Sequence, residues 1–506
     1  MPYTRREFLK RAGMCAAATG LAYWVPPSAW APAMMSELET RDYHLAFAPL
    51  TFPTPFFPAM TPHDGTLGVE FIGTGRETGW NVILENGAAG AFRLKVQDAG
   101  FERETGKWKI FADTLREIPP ELYTLRVGHA RGEWANPRAV KVIDAFRPDF
   151  SFAHVTDVHV GCAGNFTDEG FPPTEEVFGK VIEEINLIDP EFVVATGDMV
   201  HTAVDNAWED RRIEGNTAEG EYVRLFELMS RFRVPVYVLP GNHDIVGTIA
   251  PVAQRYWEEH VGRRYFSFEY GNRHFTALDD SHLMEGTPFM YADKFTHDLE
   301  DAQLKWLKSD LAAYGDRALK VLLYHVPLFG RRSTVPELAM SRGVKMALFG
   351  HEHWDRAKRF GDGSLWVETK SVLDYGGYRI VRVRGGDVVS WSSRRDTRPR
   401  TKRVLLQQSA YDMEKDNLPH RYSLSAFRLN VRETRRRNEY VAVIENGLDE
   451  TFDGALLRVG IGGWSGGAPR VDGGTLERTV GSGESATAYV RARVPGDSTV
   501  EVRVFT

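Results

Sequence analysis

Residues 150–160 read FSFAHVTDVHV, and this stretch decides the fold of the middle of the chain. Apolar and polar residues alternate along it and β-branched residues are frequent, which predicts a β-strand. The strand runs directly into Asp157 and His159, two side chains that can bind a metal ion. A core strand that ends in such residues is typical of the sheet edge at which α/β proteins build their sites.

Four further apolar runs end in the same kind of residue. They are 191–196 before Gly197-Asp198, 234–239 before Gly241-Asn242-His243-Asp244, 319–324 before His325, and 344–349 before Gly350-His351-Glu352-His353. Helix-like stretches separate the strands, at roughly 174–188, 222–232, 251–261 and 302–313. Alternating strands and helices predict an α/β fold with a largely parallel sheet. Because ligands gather beyond the carboxyl ends of parallel strands, we expect the five motifs at one edge.

The motif side chains suit a pair of divalent metal ions. Two ions about 3.5–4 Å apart need nitrogen and oxygen ligands and a bridging carboxylate, because a bridging anion offsets the repulsion between the cations. Asp198 is the candidate bridge. The candidate ligands are Asp157, His159 and His353 for one ion and Asn242, His325 and His351 for the other. Imidazole, carboxylate and amide ligands together suit Mn, Fe, Zn or Ni better than Ca.

From about residue 148 to 395 the sequence resembles the calcineurin-like metallophosphoesterase superfamily, whose pattern is D-x-H, GD, GNH(D/E), H and GHxH. Every motif is present and in that order. The resemblance implies a four-layer α-β-β-α sandwich with two central sheets, and it supports the ligands named above. It also implies that His243 lies just outside the two ions, where it protonates the leaving oxygen or stabilises its charge. Asp244 would then orient the His243 ring.

This chemistry predicts an enzyme that hydrolyses phosphate mono- or diesters. Hydroxide formed between the two ions attacks phosphorus in line, and both ions act as Lewis acids on the phosphoryl oxygens. A positioned acid such as His243 contributes on the order of 10²–10⁴-fold. The motifs leave open whether the enzyme is a phosphatase or a phosphodiesterase. The alternative from another class is an envelope-binding protein with a vestigial site, and the intact ligand set favours the enzyme.

Other residues near the motifs could bind substrate. Arg331 and Arg332 could bind a second anionic group, because guanidinium groups match phosphate or carboxylate oxygens, or they could form a solvated surface pair. Trp354 could stack on a base or sugar, although such aromatic residues more often pack under loops. His154 is interpreted as a hydrogen-bonded core histidine. His201 either lines the pocket or is an ordinary loop histidine.

The amino terminus resembles a twin-arginine export signal. Thr4-Arg5-Arg6-Glu7-Phe8-Leu9-Lys10 is followed by a modest apolar stretch and then by small residues and prolines. That apolar stretch is shorter than the ~20 residues of a membrane span. We therefore expect residues 1–33 to be a signal peptide, cleaved after Ala31 or Ala33, with no stable transmembrane segment left. The predicted location is periplasmic or secreted, and the export machinery is a predicted partner.

The predicted catalytic domain, at 147–397, is flanked by two segments of alternating strand-like runs with Gly, Pro and Asn turns. We predict β-sandwich domains there, at 37–146 and 398–506. Cys15 and Cys162 are the only cysteines, so the processed chain has no intramolecular disulfide. The formal net charge of −7 gives no basic excess for nucleic-acid binding as a main role. The expected partner of the site is a small phosphoester.

Overall fold

The computed structural model describes most of the chain from residue 46 onward. The described residues are 46–162, 173–201, 217–245, 250–281, 299–328, 333–394, 414–415, 429–436, 439–447, 451–464, 466–483 and 486–505. The predicted signal peptide, at 1–33, lies outside them. Among the helices in these ranges, none has the length and apolarity needed to cross a bilayer.

The amino-terminal part is a β domain. Its strands are β1 (Leu50–Phe52), β2 (Ala59–Pro62), β3 (Thr66–Ile72), β4 (Asn81–Asn86), β5 (Gly90–Glu102), β6 (Lys107–Asp113), β7 (Leu122–His129) and β8 (Gly132–Ile143). They form one eight-stranded sheet in the order β1-β3-β6-β5-β4-β7-β8-β2. Alternate residues such as Val82 and Leu84 point into a single apolar core. The two halves of β5 pair with different strands, residues 90–94 with β4 and residues 95–102 with β6. Strands from both halves of the sheet share one apolar core, so the sheet bends around that core, as it does in a sandwich whose layers share a strand.

The middle of the chain alternates strands and helices. Its strands are β9 (Phe150–Val155), β10 (Val193–Thr196), β11 (Val236–Leu239), β12 (Phe266–Glu269), β13 (Arg273–Ala277), β14 (Leu319–Leu323), β15 (Met346–Phe349), β16 (Arg356–Arg359), β17 (Leu365–Glu368), β18 (Tyr378–Arg384), β19 (Asp387–Arg394) and β20 (Glu414–Lys415). Its helices are α1 (Thr174–Ile188), α2 (Ala218–Met229), α3 (Asn242–Ile245), α4 (Ala250–His260), α5 (Asp301–Ala313), α6 (Val335–Ser341) and α7 (Val372–Tyr375).

These strands form two sheets with parallel centres. One sheet has the order β11-β10-β9-β18-β19, in which β9, β10 and β11 run parallel. The other has the order β12-β13-β14-β15-β17-β16-β20, in which β13, β14, β15 and β17 run parallel. All four residues of β10 are buried, as expected for an interior strand covered on both faces. The fold is therefore mixed α/β, as predicted.

Three apolar cores hold this part together. One contains residues of both sheets, for example Phe152 from β9 and Leu348 from β15. A second joins the five-stranded sheet to α1, α2 and α4, and a third joins the seven-stranded sheet to α5 and α6. In α1 the buried residues Val177, Val181 and Ile185 recur every four positions, which gives the helix one apolar face.

The chain between β1 and β2 covers an edge of the α/β part. The carbonyl of Phe56 accepts a hydrogen bond from the backbone N–H of Val238 at 3.1 Å, on the edge strand β11. The ring of Phe57 packs against Tyr237 of β11 and Phe266 of β12, which are edge strands of the two sheets. This segment therefore closes the core between the sheets and satisfies part of an open strand edge.

The carboxy-terminal part is a second β domain. Its strands are β21 (Leu429–Arg436), β22 (Glu439–Asn446), β23 (Phe452–Gly460), β24 (Arg470–Asp472), β25 (Thr475–Val480), β26 (Thr487–Val494) and β27 (Ser498–Phe505). They form two antiparallel sheets, in the orders β21-β22-β27-β24 and β23-β26-β25. Residues from both sheets share one apolar core, which is the arrangement of a sandwich.

The carboxy-terminal domain contacts the α/β part at the amino ends of β10 and β11. Arg491 forms an ion pair with Asp189 at 2.7 Å, just before β10. Arg458 donates a hydrogen bond to the carbonyl of Arg233 at 3.2 Å, just before β11. The predicted metal ligands follow the carboxyl ends of these strands. This contact is therefore at the opposite edge of the sheet from the polar motifs.

Candidate metal centre

The fold brings the polar motifs together. Asp157 and His159 follow β9, Asp198 follows β10, Asn242 begins α3 after β11, His325 follows β14, and His351 and His353 follow β15. All seven lie beyond the carboxyl ends of parallel strands, where such sheets place their ligands. The structure thus places every predicted metal ligand in one region.

One group of candidate ligands consists of Asp157, His159 and His353. One ligand atom from each lies within 4.8 Å of the other two. His353 Nε2 is 3.3 Å from Asp157 Oδ1. The Asp157 side chain is fully buried, whereas that of His353 is 22% exposed, so the group has a buried side and an accessible side.

The second group consists of Asp198, His325 and His351, again within 4.8 Å of one another. Asn242 Oδ1 lies 2.8 Å from His351 Nδ1 and 3.1 Å from His325 Nε2, so the amide joins this group. Asp198 Oδ2 is 3.2 Å from His325 Nε2 and 3.6 Å from His159 Nε2, which belongs to the first group. Asp198 therefore lies between the two groups, as a bridging carboxylate must.

The donor set fits divalent metal ions. Asp157 and Asp198 are buried beside imidazoles, and neither ring nitrogen of His159 makes a hydrogen bond within the described residues. Burying carboxylates and a lone imidazole costs free energy unless a cation compensates. Imidazole nitrogen and carboxylate oxygen are ligands that first-row divalent ions accept. The residues present are thus suited to hold such ions.

The carboxylates and imidazoles of the centre shift one another's pKa values. Burial opposes the charged form of His325, but the Asp198 carboxylate, with Asp157 and Asp280 nearby, raises the pKa of His325 to about 10. Burial also opposes ionisation of Asp198, yet the imidazoles of His325 and His243 hold its pKa well below the ordinary value. Each group therefore favours the charged form of its neighbour, and the Asp198 carboxylate is held ionised, the form that binds a cation.

Five of the candidate ligands have a left-handed backbone conformation. Their φ angles are 53° at Asp157, 53° at His159, 52° at Asp198, 80° at His351 and 60° at His353. A non-glycine residue in this region costs about 1–2 kcal/mol, so surrounding contacts must fix it. Backbone hydrogen bonds do so here: Asp157 N–H donates to the carbonyl of Gly197 at 3.0 Å, and His159 N–H to that of Asp198 at 2.9 Å.

Two motif glycines make room for the carboxylates. A Cβ at Gly350 would overlap Thr156 Oγ1 and Asp157 Oδ2, and a Cβ at Gly241 would overlap Asp198 Oδ1. The glycine in GHEH and the one in GNHD are therefore required by the close approach of a carboxylate from another strand.

His243 lies beside the first group. Its ring meets that of His159 edge to face, with centroids 4.4 Å apart, and its backbone N–H donates to Asp198 Oδ1 at 2.7 Å. Its Nδ1 is 2.9 Å from the carbonyl oxygen of His201. Since a carbonyl only accepts, Nδ1 donates, and Nε2 is the nitrogen that can serve the reaction.

Asp244 binds backbone groups of two loops. Its carboxylate accepts hydrogen bonds from the backbone N–H groups of Met199, Val200 and Gly241 at 2.8–3.2 Å. These contacts tie the loop after β10 to the loop after β11. Burial, together with the charge of Asp198, raises the pKa of Asp244 to about 7. Asp244 thus fixes the loops that carry the site, and among the contacts described the His243 ring meets the His201 carbonyl.

Sequence analysis missed two groups that position His325. The buried carboxylate of Asp280 accepts the backbone N–H groups of His325 at 3.0 Å and Val326 at 2.9 Å. The carbonyl of Thr196 accepts His325 Nδ1–H at 2.7 Å, which directs Nε2 towards Asp198. The sequence signal for Asp280 is weak, because the buried strand β13 that precedes it contains Arg273, His274 and Thr276.

Two of the remaining candidates, His154 and Trp354, lie in the described part of the chain, and both are packed into it. His154 is hydrogen-bonded to the hydroxyls of Thr196 and Thr369 at 2.7 Å each, which confirms the core interpretation. Trp354 is 9% exposed with the Arg356 guanidinium 5.8 Å from its ring centre, a packing position rather than an open stacking surface. Arg331 and Arg332 lie outside the described residues.

Comparison with known proteins supports the class that the fold and the site define. Residues 150–355 match the family model "Calcineurin-like phosphoesterase". The family match and the relatives support the calcineurin-like metallophosphoesterase superfamily for this part of the chain, and the protein is a metal-dependent phosphoric ester hydrolase.

Curated relatives each match about two fifths of the chain. The serine/threonine-protein phosphatase CPPED1 of Bos taurus is 26% identical over 227 residues, which are 40% of this chain and 68% of the relative. The 3',5'-cyclic adenosine monophosphate phosphodiesterase CpdA of Haemophilus influenzae is 27% identical over 230 residues, 42% of this chain and 73% of the relative. Among solved structures, the purple acid phosphatase PPD1 of yellow lupin aligns with a TM-score of 0.38 and 12% identity, over 68% of this chain and 74% of that one.

Proposed function

We propose that this chain is an exported phosphoesterase that hydrolyses phosphate mono- or diesters with two divalent metal ions. The position of Asp198 carries the proposal. Its Oδ2 is 3.6 Å from His159 Nε2 and 3.2 Å from His325 Nε2, so one carboxylate reaches both groups of imidazoles. We assign the first ion to Asp157, His159 and His353 and the second to Asn242, His325 and His351, with Asp198 shared.

The metal ligands, His243 and the His201 carbonyl have separate roles in the proposed hydrolysis. When bound, the ions supply a hydroxide nucleophile near neutral pH and act as Lewis acids on phosphoryl oxygens. His243 is half-buried and adjacent to the first group, so its Nε2 can meet the leaving oxygen of a substrate that enters from the accessible side. The His201 carbonyl holds the other ring nitrogen, and this fixes the direction of Nε2.

The relatives support a phosphoester substrate without choosing its type. One is named a serine/threonine-protein phosphatase and another a cyclic-nucleotide phosphodiesterase. We infer a phosphodiesterase or a broad phosphatase for this chain.

Export and domain organisation complete the proposal. The Arg5-Arg6 motif and the weak apolar stretch after it support export by the twin-arginine route to the periplasm or beyond. We place the domain limits at 37–146, 147–397 and 398–506. The three apolar cores of the middle domain support the four-layer α-β-β-α arrangement.

The test combines metal analysis with a substrate panel. We expect two ions per purified chain and hydrolysis of some mono- or diesters. Asp198→Asn should lose metal and activity together while keeping its circular dichroism spectrum, and Asp301→Asn, an exposed aspartate on α5, should change neither. His243→Ala should slow alkyl esters by on the order of 10²–10⁴-fold and nitrophenyl esters far less, because only the poor leaving group needs an acid. A wild-type protein that does not bind two ions under any metal supply would contradict the proposal.

A further inference from the structure

A third cluster of imidazoles adjoins the metal centre. One ring nitrogen from each of His159, His201 and His243 lies within 4.8 Å of the other two. The ring centroids are 4.4 Å apart for His159 and His243 and 5.6 Å apart for the two pairs with His201. His159 and His201 are each 1% exposed. Three imidazoles at this spacing can hold one transition-metal ion.

The hydrogen bonding of His243 matches that of a metal ligand. Histidine ligands usually donate their second ring N–H to a backbone carbonyl, which leaves the other nitrogen with a lone pair for the ion. His325 has this arrangement, with Nδ1 on the carbonyl of Thr196. His243 has it as well, with Nδ1 on the carbonyl of His201. His243 is therefore oriented as a ligand as well as an acid.

His159 belongs to both clusters. Neither of its ring nitrogens makes a hydrogen bond within the described residues, although the ring is buried. A buried imidazole without a hydrogen bond is destabilised, and binding a metal ion removes that cost. His159 can complete the group with Asp157 and His353, or the group with His201 and His243. The two groups thus compete for one ligand.

We propose that His159, His201 and His243 form an alternative, all-imidazole site for zinc-like ions, which competes with the Asp157–His159–His353 site and inactivates the enzyme when it is filled. The chemistry of the ligands predicts the selectivity. Three nitrogen ligands favour Zn²⁺, Ni²⁺ or Cu²⁺, whereas Mn²⁺ favours the group that includes a carboxylate. Filling the imidazole site removes a ligand from the catalytic pair and occupies His243. The loss of activity rests on the proposed function, but the binding site itself does not.

The test measures zinc affinity and activity separately. Zinc affinity is read by competition with a chromophoric chelator, and activity is compared between manganese-loaded and zinc-loaded enzyme. We expect His201→Ala to weaken the tightest zinc site at least tenfold and to abolish inhibition of the manganese-loaded enzyme by excess zinc, measured relative to the variant's own activity without zinc. His201→Gln, which keeps a polar side chain of similar length, should behave in the same way. His63→Ala, a histidine of the amino-terminal domain, is the control.

Two results would overturn the inference. One is zinc affinity that is equal in wild type, His201→Ala and His63→Ala. The other is an anomalous-scattering map of zinc-soaked crystals that shows zinc only between the carboxylate-containing groups. Because the chelator titration needs no turnover, a protein that hydrolyses none of the esters would still report on this site.

Discussion

At the residue scale, the space beside Gly350 is filled by Thr156 and Asp157. We predict that Gly350→Ala displaces the Asp157 carboxylate, costs about 1–3 kcal/mol of stability through overpacking, and weakens metal binding. Urea unfolding and metal content measure the two effects. Gly361→Ala is the matched control, because a Cβ there meets nothing within 4 Å. Equal metal content in both variants would contradict the steric argument.

A second prediction at this scale concerns Glu77 in the amino-terminal domain. Burial opposes ionisation of Glu77, but the N–H and hydroxyl of Thr74 and the Nε1–H of Trp108 donate to its carboxylate and lower its pKa to about 2. A depressed pKa stabilises the fold above the ordinary glutamate pKa, and this contribution is lost as the pH falls towards about 2. The wild-type advantage over Glu77→Gln should therefore be greatest above about pH 5 and shrink on acidification.

Stability of the two proteins by urea unfolding between about pH 3 and pH 7 is the measurement. Glu104→Gln, an exposed glutamate between β5 and β6, should show no such trend. A wild-type advantage over Glu77→Gln that stays constant over this range would contradict the assignment.

The sequence could indicate the candidate ligands because each follows an apolar strand directly. It could not indicate the groups that orient them. The partner of the His243 ring is a backbone carbonyl at His201, and a carbonyl leaves no trace in the residue type. Asp244 and Asp280 bind backbone N–H groups of loops remote in sequence, which only the assembled sheets bring near.

At the element scale, local interactions explain where the predicted limits of helices and strands agree with the structure and where they differ. The stretch 174–188 was predicted helical, and α1 has those limits because its apolar period is regular. β9 was predicted to reach residue 160 but ends at Val155, since Asp157 and His159 adopt left-handed backbone angles that no strand continues. α2 begins at Ala218, before the predicted 222, because the hydroxyl of Thr217 caps it by accepting the N–H of Gly220.

The segment between β1 and β2 leads to a prediction about the edge of the two sheets. Phe57 packs between Tyr237 and Phe266, so its removal leaves a gap at the rim of the core. Phe57→Ala should cost about 2–3 kcal/mol, less than a fully buried phenylalanine because the ring is partly exposed. Phe111→Ala, whose ring is 41% exposed, should cost less than about 0.5 kcal/mol. Similar unfolding midpoints for the two variants would show that the segment does not seal the core.

At the scale of the whole molecule, the order of strands along the chain could not predict which strands pair in the two β domains. Both flanking segments have alternating runs and tight turns, yet the strands of one are linked through β5 and those of the other form two separate sheets. The difference depends on β5, whose two halves pair with β4 and with β6. Pairing partners are set by packing of the whole domain rather than by any single run.

A buried charge joins the two β domains. Glu121 is 3% exposed, with Arg478 at 3.3 Å and Arg458 at 3.9 Å. Burial opposes its ionisation, but Lys141 and these arginines lower the pKa of Glu121. Glu121→Gln leaves the guanidinium groups without their counter-charge, and we expect a loss of about 2–3 kcal/mol.

Calorimetry of Glu121→Gln measures that loss. Asp453→Asn, which breaks an exposed pair with Arg493, should unfold like wild type. Activity below the unfolding temperature should be the same in all three proteins, because Arg458 also contacts the edge of the sheet opposite the metal centre. A variant that is fully stable but inactive would show that the junction communicates with the site.

The left-handed ligands carry a consequence for mutational drift. At five positions of the centre a glycine would relieve about 1 kcal/mol of backbone strain, and each such change would delete a metal ligand. In a protein kept only as a scaffold, substitutions of that kind would be neutral or favourable and would accumulate. The chain instead has aspartate or histidine at all five. Keeping a ligand at each of these positions costs backbone strain, which metal binding offsets in a working centre and nothing offsets in a relic.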